Sequence, residues 1–230
     1  MVPILSLISA WCCLMNSRYS MLSSYDVIYE ALLPKLNQCN LQESAARFGL
    51  DTNSNGDIII EFLKRNYLIS NAGVTPVDGK LVNINNRSIL IHYVLSQGIG
   101  DPVYSFKPLF RMTTIFSSGD TGKVSMIDAP LIKTFGNDVN KLAETIVKLG
   151  GKSEHSREPN SRCWRLEVLP KIPVKIIFRE ADEDFPVEIQ TQFDESAPEF
   201  LEFECLAFLC SCLVRALIKT AEYGTVDGWE

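Results

Sequence analysis

The sequence predicts an α+β domain: a largely antiparallel sheet with helices packed on one face, an N-terminal helical hairpin and a long C-terminal helix. Three observations carry this expectation. In the last third, "VKIIFRE" and "VEIQTQF" read as strands, and the connection "READEDFP" is too short for a helical crossover, so the pair is antiparallel. Near the start and at the end of the chain, apolar residues instead recur at helical spacing behind capping residues. The 230 residues, 46% of them hydrophobic, suffice to bury a sizeable core, so residues 21–230 are expected to form one domain.

Taken in order, residues 1–20 are expected to be a disordered leader or a mis-assigned start. "MVPILSLISAWCCLM" is apolar, but its first cation, Arg18, follows the run, where a secretory signal needs one before it. The run is also too short for a stable membrane anchor. "SSYDVIYEALLPKLNQ" reads as a helix behind Ser23, kinked or divided at Pro34. "NLQESAARFG" offers Asn40 and Glu43 as a capping box and Gly49 as a C-cap. "DIIIEFL" and "NYLIS" are strand-like, and "RSILIHYVLSQG" is a buried helix expected to end at Gly98. "APLIKTFGNDVNKLAETIVKLGG" gives two helical segments that stop at paired glycines. In "VEIQTQF", Val187, Ile189, Thr191 and Phe193 share a core face, and Glu188, Gln190 and Gln192 point the other way. The closing helix is expected to start at Ser196, with Glu199 as its capping-box partner and Pro198 in its first turn.

A net charge of −6 argues against a phosphate-backbone binder, so nucleic acid is not an expected partner. Seven cysteines without paired spacing read as reduced thiols, which places the chain in the cytoplasm.

Several motifs invite a function and fail on their chemistry. "DTNSNGDIIIEF" places Asp51, Asn53, Asn55 and Gly56 as a calcium loop would, but position 12, which needs a bidentate carboxylate, is Phe62. "SGDTGKV" lacks both the leading glycine and the closing hydroxyl of a phosphate-binding loop. On the closing helix, Cys205 and Cys212 share a stripe with Leu209 and Ala216, whereas Cys210 points elsewhere. Buried thiols acting as small hydrophobes explain them, and no iron-sulfur or zinc spacing appears. Of the two histidines, His155 lies in a polar loop. His92 is expected to be a half-buried helix residue satisfied by one hydrogen bond, or else an acid-base or ligand group.

Acidity is the unusual feature. From Arg179 to Glu204 the chain carries ten carboxylates against Arg179 as the one cation. A solvated hairpin tip followed by a favourable helix N-terminus accounts for this pattern. A site for a cation, a metal or a basic partner does so as well, because crowded carboxylates repel until something positive binds. The candidate ligand-binding residues are therefore Asp182, Asp184, Glu188, Gln190, Gln192 and Asp194, with His92.

The motif around Asp182, Glu183, Phe185, Pro186, Glu188, Phe193, Asp194 and Ser196, preceded by Leu169, Pro170 and Pro173, resembles the domain of unknown function 3786 family. "ALLPKLNQCNLQESAARFG", "EFLKRNYLIS" and "ILIHYVLSQG" extend the likeness over most of the chain. The resemblance implies an accessory protein of anaerobes, some of whose relatives carry an attached iron-sulfur cluster domain. The cysteines here lack cluster spacing. Two functions are expected: a non-catalytic protein that binds a cofactor, a metal or a partner, the partner being a small-molecule cofactor or an iron-sulfur or redox protein; or, as the alternative, a metal- or carboxylate-dependent hydrolase. Neither the cofactor nor a reaction is named by the residues, and binding is the favoured reading.

Overall fold

A computed structural model of the chain describes residues 24–112, 127–156 and 158–226. The leader and the "SGDTGKV" loop lie outside the described residues. The α+β class holds, with all strand pairing antiparallel.

The helical hairpin comprises α1 (Ser24–Asn37) and α2 (Leu41–Phe48). Pro34 sits inside α1 without dividing it. Asn40 caps α2 as its sequence implies, its Oδ1 accepting from the Glu43 N–H at 3.3 Å, and Gly49 closes the helix with φ 64°. That left-handed conformation is what glycine supplies at a helix end.

A four-stranded meander follows: β1 (Asp51–Thr52), β2 (Ile58–Phe62), β3 (Arg65–Ser70) and β4 (Gly73–Pro76), in that spatial order. Its inward positions, Ile58, Ile60, Phe62, Tyr67 and Ile69, are essentially fully buried. The loop between β1 and β2 spends its oxygens on itself. Asn53 Oδ1 accepts from the N–H groups of Asn55 and Asp57, each at 2.9 Å, while Phe62 lies in the core. Next, α3 (Ile84–Leu95) is capped by Asn83 and ends three residues before Gly98, because Ser96 turns extended at φ −61°, ψ 145°. Gly98 has a different task from the expected cap: a Cβ there would stand 2.2 Å from the Glu199 carbonyl oxygen.

The second sheet holds β5 (Phe106–Pro108), β6 (Lys152–Glu154), β7 (Ser161–Leu169), β8 (Ile172–Arg179) and β9 (Glu188–Asp194), ordered β5-β9-β8-β7-β6. The antiparallel pairing expected for Ile58–Ser70 and the last third is thus present but divided between two sheets, which touch through β2 and β7. On β9, Ile189, Thr191 and Phe193 are buried and the intervening residues are half-buried, the alternation the sequence shows.

The helices α4 (Ala129–Phe135) and α5 (Val139–Lys148) and the closing pair α6 (Ala197–Phe200) and α7 (Phe203–Tyr223) complete the fold. The closing helix is therefore broken, contrary to expectation. Ser196 makes no capping bond; its hydroxyl donates to Asp194 Oδ1 instead, and Leu201 is extended before α7 starts. Beyond the break, α7 is wedged between the second sheet and α3. Cys210 Sγ lies 3.3 Å from Thr191 Oγ1 on β9, and Cys212 Sγ donates to Asn86 Oδ1 on α3 at 3.1 Å. Cys210 does point away from the Cys205 and Cys212 stripe, yet both sides of the helix are covered, so all three thiols are buried.

Candidate functional site

The acidic candidates fall into four local settings. Asp182 and Asp184 stand at the hairpin tip, where Asp182 Oδ1 accepts from the N–H groups of Asp184 and Phe185 at 2.9 and 2.8 Å. Glu188 pairs with Arg179 at 2.8 Å, and Arg179 also holds Glu158 at 2.7 Å. Gln192 Nε2 donates to Gln190 Oε1 at 2.7 Å. Asp194 is fully buried, its Oδ1 accepting from the N–H groups of Val103 and Ser196 and from the Ser196 hydroxyl. Glu188 and Asp194 occupy opposite ends of β9, about 20 Å apart at strand rise.

Cations on neighbouring strands meet some of the carboxylates of this sheet, Glu188 and Glu195 among them. On the outward face of the second sheet, Arg165 and Lys175 both reach Glu154, at 2.9 and 3.0 Å. Lys107 next to β9 holds Glu195 at 2.6 Å. One-dimensional counting misses these pairs because the partners lie on other strands. Among the described residues, no three His, Cys, Asp or Glu side chains converge so as to hold a metal ion.

His92 lies elsewhere, beside open space. On α3 it lines two adjoining cavities, of about 210 and 480 Å³, and shares both with Glu202 and Cys205. The smaller is walled by Ile28 of α1, Ile89 of α3 and Phe208 of α7. The larger opens over Lys35, Gln97, Pro198 and Glu199. The groove thus exists where α1, α3 and the break between α6 and α7 meet. Beside it Gly98 lies close against Glu199, and Arg47 donates to the Ser96 carbonyl at 2.6 Å.

The electrostatics follow from this placement. Burial lowers the pKa of the His92 imidazole, the Glu202 carboxylate opposes that, and Lys35 adds to it. Among the described residues no protein group hydrogen-bonds to the His92 ring, which is half-buried as expected. Burial, with Glu202 and Glu204 adding to it, pushes the Cys205 thiol up to about 12. A thiol held protonated is a weak nucleophile at neutral pH.

Lys35, Glu199, Glu202 and Cys205 were not singled out as groove residues by the sequence. No local pattern marks them, because the elements that bring them together are far apart in sequence.

Residues 40–216 match the family model described as Domain of unknown function (DUF3786). No curated protein and no solved structure matches the chain.

Proposed function

The chain belongs to the DUF3786 family, and from that premise we propose that it is a non-catalytic binding protein whose ligand sits in the groove centred on His92. The carrying observation is the convergence of two cavities on a half-buried imidazole that is free of hydrogen bonds among the described residues. Concave space with apolar walls and a few directed polar groups is how proteins hold small ligands. The raised Cys205 thiol favours binding over covalent catalysis. Service to anaerobic metabolism and a redox protein as partner are part of this proposal through the family resemblance. A cytoplasmic place rests on the free state of the five described cysteines. No helix among the described residues is long and apolar enough to cross a membrane.

Purification without oxygen, followed by mass spectrometry and elemental analysis, tests the reading. Ile28→Trp fills the mouth of the smaller cavity from a position 42% exposed on α1, so the fold tolerates it. A compound retained by the native chain and lost from the variant supports the groove. Retention at equal occupancy by both contradicts it, and turnover of a generic ester or phosphate by the native chain favours the hydrolase.

A further inference from the structure

Resting on the groove as the binding site, we propose that its ligand is a small organic cation: an ammonium or amidinium group carried on an aryl or branched-alkyl body. The two cavities divide the recognition. The smaller, walled by Ile28, Ile89 and Phe208, accepts the apolar body, whose removal from water favours binding. Around the larger cavity and the shared mouth stand Glu199, Glu202 and Glu204, faced by Lys35.

Magnitudes decide the sign. The N-terminus of α7, which starts beside Glu202, is equivalent to roughly half a positive charge. Together with Lys35 it offsets about half of the three carboxylates, so the rim stays negative. An anionic ligand would therefore be repelled where a cation is drawn in.

His92 supplies direction. Its ring makes no hydrogen bond among the described residues, and burial favours the neutral imidazole, whose free nitrogen accepts from an ammonium N–H. The charged and titratable groups that line the cavities with it are Lys35, Glu199, Glu202, Glu204 and the Cys205 thiol, which stays protonated through neutral pH. Acidification that protonates His92 replaces an acceptor by a second cation, so affinity for the ligand falls as pH drops.

The test uses the full chain and two matched probes, 2-phenylethylammonium and 3-phenylpropionate, followed by NMR of the ring protons of His92 and His155, the two histidines of the sequence. The ammonium probe is expected to move the His92 signal and leave His155 still, binding at least about tenfold tighter than the carboxylate. In the double variant Glu199→Gln with Glu202→Gln, both at exposed positions, its affinity is expected to drop about tenfold at unchanged melting temperature. Equal or tighter binding of 3-phenylpropionate at His92, or undiminished ammonium affinity in the double variant, overturns the cation assignment and leaves the groove standing. Failure of both probes to move His92 overturns the groove as well.

Discussion

Two buried carboxylates show how context, and not residue type, sets what a side chain does. Asp194 gathers three donors from two segments on one oxygen and so ties the loop before β5 to the start of α6. Asp128 is also buried, its Oδ1 accepting from the Thr191 N–H at 3.3 Å and the Thr191 hydroxyl at 2.7 Å. Burial pushes the Asp128 pKa up to about 6, against its two bonds from Thr191 and with a smaller push from Glu188. A folded-state value above the unfolded one gives a stability contribution fully present below about pH 3.8 and lost as pH rises through about 6. Asp128→Asn keeps the accepting oxygen and removes the charge. Urea unfolding is expected to show the variant about 1–2 kcal/mol more stable than the native chain at pH 8, with the gap closing near pH 4. A gap independent of pH would contradict the assignment. Neither carboxylate's burial is legible in the sequence, because nothing in the local pattern marks a residue with a partner 91 positions away, as for Asp194 and Val103, or 63, as for Asp128 and Thr191.

At the level of elements, β9 was readable and the closing helix only in part. Alternation survives in β9 because one face meets α7 and the other meets the ion-paired strip, so burial selects every second residue. The helix start misled because Ser196, Pro198 and Glu199 are the residues of a good N-terminus, and a local acceptor two residues earlier, Asp194, takes the serine hydroxyl. The calcium-like loop was legible from Phe62 alone, since a residue needed as a ligand is instead a core residue of β2. Gly98 was read as a helix end when its real constraint is steric contact with another helix. Gly98→Ala would set a Cβ 2.2 Å from the Glu199 oxygen and 2.7 Å from the Phe200 ring. Backbone has to shift, so the variant is expected to lose about 1–3 kcal/mol in denaturant unfolding. A neutral effect would mean that α6 is not held against the end of α3 as described.

Across the molecule, fold class was legible because composition and periodicity report it directly. The division into two sheets was not, because which strand edges meet depends on contacts between residues far apart in sequence. The groove was illegible for the same reason: α1, α3 and the α6–α7 break, far apart in sequence, all contribute side chains to it, and of these only His92 stood among the candidate ligand-binding residues. The central claim is that this groove, rather than the acidic strand, is where the protein holds its ligand. The most direct measurement is NMR of the two histidine rings in the chain as purified without oxygen and again after unfolding, removal of small molecules and refolding. The account expects the His92 signal to differ between the two preparations while His155 stays fixed. A His92 signal identical in both, with a bound compound present in the first, would place the ligand elsewhere and contradict it.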